Sequence, residues 1–334
     1  MLFCCSKVIN ISKKILVLVF LMFLYFFLSS CSRVSDGRIA GVASKPYSDE
    51  LSVAIFVDND STFQALVCTK SVIDHADERT KYRFFIMTSE DFDNNFKDEF
   101  KKLENDNFRI EFIDMLDPDN SNFFELSKDS AFHKLSVSKF LLKNVKKCVT
   151  LDPRTLVFCD LNEVFKQLDL KDIYVAGVPD ISNRNAGEEF KNKVGLETLN
   201  QCIEGSVLIW NLELCRENAV YQKFFQYAKD HICDVSFCSE DIINAVCYNK
   251  IMDLPFKFNF DVSMESEDLD SKDFTNFVFS KQELEEGREK AMIVNFSRNC
   301  AWEDLRLRYA RNWWQEARTL ECFKKIEEKY IFQT

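Results

Sequence analysis

Glycine and proline are scarce in this chain of 334 residues, at 7 and 5. That excludes collagen-like, linker-rich and low-complexity architectures. Histidine is scarcer still. His75, His133 and His231 lie far apart, and no Cys-x-x-Cys pair accompanies them, so no zinc site is expected. Positive charge is short as well: 43 Lys and Arg against 54 Asp and Glu leave a net charge of −11. A general nucleic-acid binder would need a basic surface, so that class is excluded. There is no internal repeat. The length suits one large domain or two small ones, and the hydrophobic content of 46% is ordinary for a globular protein.

What is present begins with residues 1–31. Lys7, Lys13 and Lys14 precede an apolar run over 15–28, closed by Leu28-Ser29-Ser30-Cys31. A basic start, a short apolar run and small residues make an export signal. The ending resembles the lipobox of bacterial lipoproteins, which implies cleavage before Cys31 and a lipid on that residue. The alternative is a single span over 15–30, shorter than the usual length of about 20 residues, with the lysines holding the N-terminus in the cytoplasm. Either reading places the protein at a membrane, with the domain exported. Residues 32–49 are polar and aperiodic, and read as a tether. Of 13 cysteines, Cys4, Cys5 and Cys31 belong to the leader. Cys148, Cys159 and Cys247 lie in apolar stretches and read as small core residues. Pairing among the rest is left open by the sequence.

From residue 51 the patterning alternates. Strands are expected at 51–57, 82–88, 108–113, 147–151, 174–178, 206–210, 251–254 and 291–296. Helices are expected at 62–74, 91–103, 135–144, 219–231 and 241–248, with an acidic loop at 263–273. Alternating strands and helices imply an α/β fold with a mainly parallel sheet. In such folds ligands sit beyond the carboxyl ends of the strands, where Asp58 and Asp152 both fall. The domain is expected over 50–304, followed by a helical tail over 305–334 that carries Trp313 and Trp314, which read as core packing.

The run from Thr150 to Leu161, Thr-Leu-Asp-Pro-Arg-Thr-Leu-Val-Phe-Cys-Asp-Leu, resembles the metal-binding core of glycosyltransferase family 8. Eight further blocks resemble the family in the same order. They are 53–60, 66–73, 139–142, 172–180, 206–212, 239–244, 254–260 and 295–302. The resemblance implies a GT-A type fold, a mainly parallel central sheet flanked by helices. It also implies hexosyl transfer from a UDP-hexose to a glycan or protein acceptor. On the nucleotide side it points to Asp58, Asp60, Lys139, Asp152, Arg154 and Arg298. For the sugar it points to Glu204 and Ser239, and for catalysis to Glu240 and Asp241.

The family's cofactor is manganese, held by two Asp of an Asp-x-Asp signature and a His. Of these positions this chain keeps Asp152. Arg154 stands at the second Asp, Asn295 at the His, and Cys300 at the lysine that touches the diphosphate. Asp to Arg changes two charge units. At about 6 Å and an effective dielectric near 20, that is roughly 5–6 kcal/mol against a unit charge, and more against a divalent ion. No metal cofactor is therefore expected. Three readings follow. The chain is an inactive, membrane-anchored binding module on a transferase scaffold. Or it is a metal-independent transferase in which Arg154 and Arg298 meet the diphosphate and Glu240 acts on the sugar. Or it is a metal enzyme with ligands recruited elsewhere, such as Asp160. Simpler roles are also open: Asp58 and Asp152 could cap the next helix, and Arg154 could pair with Asp152 or Glu240.

Overall fold

The computed structural model describes residues 50–89, 92–115, 130–166, 168–180, 202–231, 239–266 and 279–332. The expected leader, the tether, Cys31 and most of the acidic loop lie outside them. Among the described residues no helix is long and apolar enough to cross a membrane.

Strand β1 (Leu51–Val57) starts the fold, and all but one of its residues are buried. It pairs in parallel with β2 (Tyr82–Thr88) on one side and with β4 (Lys147–Leu151) on the other, and β2 pairs in parallel with β3 (Phe108–Asp114). Strand β7 (Ile203–Asn211) then runs antiparallel between β4 and β6 (Val175–Pro179), and β8 (Ile251–Asp253) closes the edge parallel to β6. Among the described residues the sheet has seven strands in the order β3-β2-β1-β4-β7-β6-β8. A parallel sheet needs both faces covered, and side-chain alternation supplies both. Val53, Ile55, Phe84 and Ile86 enter one core cluster, while Ala54, Phe85 and Met87 enter another.

Helix α1 (Thr62–Asp74) follows β1 and is buried almost all round, as a helix covered on both sides must be. The tail covers it: α9 (Ala310–Thr319) packs on α1, and α10 (Phe323–Tyr330) folds back on α9. Trp313 is fully buried and Trp314 nearly so, so both serve the core. The chain also forms α2 (Asn94–Lys101), whose N-cap Asp93 accepts from the Asn95 amide. A short three-stranded sheet, β5-β10-β9, joins Thr155–Val157, Ile293–Asn295 and Phe260–Asp261.

The helix expected over 135–144 is cut short. A 3-10 turn (Ser130–Ser136) leads into α3 (Val137–Phe140), and Leu141 is extended at ψ 146°. The cause is Arg216, on α5 (Leu212–Glu217). Its guanidinium donates to the carbonyls of Ser138, Leu141, Leu142, Lys143 and Val145. A tertiary donor thus takes acceptors that a longer helix would have used internally. The single tail helix expected over 305–330 is likewise two, broken at extended Leu320. The sequence reading missed β5, α4 (Leu161–Phe165), α5 and α8 (Lys281–Glu289), all short. The remaining described helices, α6 (Val220–His231) and α7 (Ser239–Val246), fall within three residues of expectation.

Candidate functional site

The sheet turns in opposite directions from β1, to β2 on one side and to β4 on the other. A crevice opens beyond the carboxyl ends of strands at such a switch point. A cleft of about 310 Å³ lies there, and Asp58, Asp60, Lys134, Asp152, Arg154 and Gly205 are among its lining residues.

Asp58 directs its carboxylate back into its own turn. Its Oδ1 accepts from the Ser61 amide at 2.8 Å and from Ser61 Oγ at 2.6 Å, which fixes the turn leading into α1. Asp60 is exposed at the rim.

Asp152 and Arg154 form one unit on the cleft floor. Arg154 Nε donates to Asp152 Oδ1 at 2.9 Å and Nη2 to Oδ2 at 3.0 Å. The Arg154 amide adds a bond to Oδ1 at 2.8 Å. This two-pronged contact uses both carboxylate oxygens and raises the already high Arg154 pKa through that bonding. Nη1 reaches the Ser297 carbonyl at 3.2 Å. Among the two partners that the sequence offered for Arg154, Asp152 is the one it meets.

Lys134 and Glu240 form the second ion pair, at 2.6 Å. Burial works to depress the Lys134 ammonium, but the Glu240 charge and hydrogen bond, with the charges of Glu204 and Asp152, together outweigh it and the pKa rises. Burial likewise works to raise the Glu240 carboxyl, yet the Lys134 charge and hydrogen bond bring it down to about 2. The pair is therefore ionised. Ser239 Oγ donates to the other Glu240 oxygen at 2.9 Å, so both are engaged. Gly205 makes room for the pair: a Cβ there would lie 2.1 Å from Glu240 Oε1 and 2.5 Å from Lys134 Nζ. Asp241 follows in the first turn of α7, half-buried.

Glu204 and Arg298 face a second, smaller hollow of about 20 Å³, with Asn259, Asp261 and Asn295. Glu204 accepts from the Ser206 amide at 2.7 Å, from Ser206 Oγ at 2.8 Å, and from Asn259 Nδ2. Burial still raises its pKa. Arg298 lies 3.4 Å from Asp261 and 3.7 Å from Asp180. Asn295 is fully buried and donates to Ser206 Oγ at 3.0 Å.

The structure thus brings Asp58, Asp60, Asp152 and Arg154 to one cleft, with the Ser239–Glu240 turn reaching it through Lys134. It does not bring Lys139 or Arg298 to the lining of that cleft. Lys139 sits over the Tyr221 ring at 5.0 Å, in a separate hollow lined also by Arg216 and Phe225. Lys134, which the sequence did not single out, lines the cleft instead. Asp160 is no spare ligand. Its carboxylate accepts from Thr80 Oγ1 at 2.6 Å, Tyr82 Oη at 2.5 Å, and the Asp77 and Asn162 amides, and it caps α4.

Both Asp152 oxygens face the Arg154 guanidinium, and Asn295 Oδ1 accepts from the Ser297 amide at 2.8 Å. Among the described residues no three His, Cys, Asp or Glu side chains stand close enough to hold a metal.

Comparison with known proteins places this geometry. Residues 52–284 match the family described as "Glycosyl transferase family 8". A Haemophilus influenzae protein, "Putative glycosyltransferase", is 25% identical over 155 residues, 46% of this chain and 46% of its own length. This chain thus matches about half the length of that relative. Among solved structures, the WbbM bifunctional glycosyltransferase superposes with a TM-score of 0.70 at 17% identity, over 87% of this chain and 53% of its own. The galactosyltransferase LgtC, solved with donor and acceptor sugar analogues, gives 0.64 at 19% identity, over 81% of this chain and 96% of its own. At these identities the likeness is one of fold: a large mixed sheet flanked by helices, of GT-A type.

Proposed function

Since the chain belongs to glycosyl transferase family 8, we propose that it transfers a hexose from a UDP-hexose to a glycan or protein acceptor, with Arg154 in place of a divalent cation. The observation that carries this reading is the Arg154 guanidinium held over Asp152 on the cleft floor. The departing diphosphate needs positive charge where its own charge grows. A guanidinium presents N–H groups in a fork suited to phosphate oxygens. Arg154 keeps about 41% of its side chain exposed, so it faces an incoming donor. Lys134 lines the same cleft and adds a second cation.

Glu240 acts on the sugar. With one oxygen bonded to Lys134 and the other to Ser239, the carboxylate is a weak nucleophile. Its role is to stabilise positive charge at the anomeric carbon as the bond to the diphosphate lengthens. Asp58, Asp60 and Ser61 border the nucleotide end, with Phe56 offering an apolar face.

A specific observation favours the second reading, an inactive binding module. Each cation lining the cleft already meets a carboxylate, Arg154 with Asp152 and Lys134 with Glu240, so a diphosphate must compete for them. We place either form at a membrane, through a lipid on Cys31 or one N-terminal span. The order of basic, apolar and small residues in 1–31 supports that placement.

Calorimetric titration of UDP and UDP-glucose into the full chain in detergent, with and without manganese, separates the readings. Binding without metal that weakens at least about tenfold in Arg154→Ala is expected. Binding that requires manganese would remove Arg154 from its assigned role. No binding to a folded sample would leave the binding-module reading.

A further inference from the structure

The matched family segment ends at residue 284, yet the chain beyond it returns to the cleft. Helix α10 ends against the turn between β1 and α1. Lys329 Nζ donates to the Asp60 carbonyl at 2.9 Å and lies 5.6 Å from the Phe63 ring centroid. The Gln64 amide, in the orientation that satisfies both its ends, accepts from Tyr330 Oη at 2.8 Å. Its nitrogen reaches the Ser61 and Asp60 carbonyls at 3.1 and 3.2 Å. The Tyr330 ring meets Phe63 edge-on at 6.5 Å, and it also meets Trp302 at 5.8 Å and Trp313 at 6.2 Å. Asp60, Ser61 and Gln64 are themselves cleft-lining residues.

We propose that α10 completes the nucleotide end of the cleft, with Tyr330 and Lys329 as positioning residues for the 58–64 turn. The inference rests on the reading of this cleft as a donor site. Two consecutive residues bind the same turn by different means. One bonds the Asp60 carbonyl directly; the other bonds the Gln64 amide, which bonds that same carbonyl and the Ser61 carbonyl. A turn with polar residues toward an open cleft has little packing of its own on that side. Held from behind by a helix anchored on buried Trp313, it keeps its cleft-facing groups in place before the ligand arrives. That pre-organisation lowers the ordering cost of binding. Donor affinity is thus set in part from the far end of the chain.

The test uses the full chain in detergent and three substitutions. Tyr330→Phe keeps the ring and removes the hydroxyl, Lys329→Ala removes the bond to Asp60, and Lys325→Ala is the control. Lys325 is on the same helix but pairs with Glu99, on α2, at 3.0 Å. Amide exchange is followed without ligand, and UDP is titrated by calorimetry. Tyr330→Phe and Lys329→Ala are expected to speed exchange over 59–66 and to weaken UDP binding about three- to tenfold each. The thermal midpoint should stay near that of the unsubstituted protein, and Lys325→Ala should change neither readout. Exchange unchanged in both variants overturns the inference. Faster exchange with unchanged UDP affinity overturns it too, because the turn would then be held without serving the nucleotide. If the unsubstituted chain binds no UDP, the donor-site reading fails by itself, and exchange alone decides whether α10 holds the turn.

Discussion

Burial alone would raise the Glu240 carboxyl, yet Lys134 brings it to about 2 from an ordinary 4.5. A carboxyl lowered in the folded state adds stability that is complete above its unfolded value. That stability drains as pH falls from about 4.5 towards 2. Lys134→Met is therefore expected to flatten that part of the acid limb in urea midpoints measured across pH. An unchanged slope would mean that the pair contributes nothing to folding. Gly205→Ala should reach the same end by another route. Its Cβ would lie 2.1 Å from Glu240 Oε1, and the flexible ends of the pair would move before the backbone does. A loss of about 1–3 kcal/mol is expected, together with the same flattening. A destabilised protein that keeps the steep acid limb would show that the pair survived and that strain went elsewhere.

At the scale of elements, α8 is a test of packing against propensity. It begins with a capping box between Ser280 and Glu283, which satisfies two end amides at once. Near its end Gly287 faces the 3-10 turn at Phe256–Phe258. A Cβ there would lie 2.5 Å from Phe256 Cδ1 and 3.3 Å from the Lys257 nitrogen. Alanine would gain up to about 1 kcal/mol of helix propensity over glycine. Overpacking commonly costs about 1–3 kcal/mol, and Phe256 is itself buried against Phe260 and Phe279. Gly287→Ala is expected to lower the thermal midpoint. A raised midpoint would mean that the Phe256 ring yields freely. Arg216 makes the complementary point. One side chain with five carbonyl acceptors ends α3 early, and neither glycine nor proline is needed there.

For the whole molecule, the question that links location to activity is how residues 1–31 are processed. A lipid on Cys31 predicts that Cys31→Ser removes incorporation of labelled palmitate and leaves the leader uncleaved. A signal anchor predicts no label in either protein and an unchanged membrane fraction. The outcome bears on the donor, because a bacterial periplasm supplies no nucleotide sugar. A lipoprotein facing it would favour the binding-module reading, while a span in a compartment holding nucleotide sugars would permit transfer.

The sequence by itself determined the strands β1, β2 and β4 to the residue, since each is an apolar run ended by turn residues. It also located Asp58 and Asp152 at strand ends, because a parallel α/β sheet fixes where its loops gather. The ordered blocks from 53 to 302 carried the family, and the substitutions at Arg154 and Asn295 were visible as single letters. Tertiary structure decided what those letters do. Arg154 could have met Glu240 or Asp152, and only the fold brings its fork onto Asp152. Lys134 and Glu240 stand 106 residues apart, so no local pattern could mark them as a pair. Lys139, five residues further along, was the more conspicuous lysine and points to another hollow. The tail reads as helical with Trp313 and Trp314 buried, but amphipathic spacing reports that a face is buried and not against what. The tail's return to the 58–64 turn is a long-range contact, and local spacing does not encode such contacts.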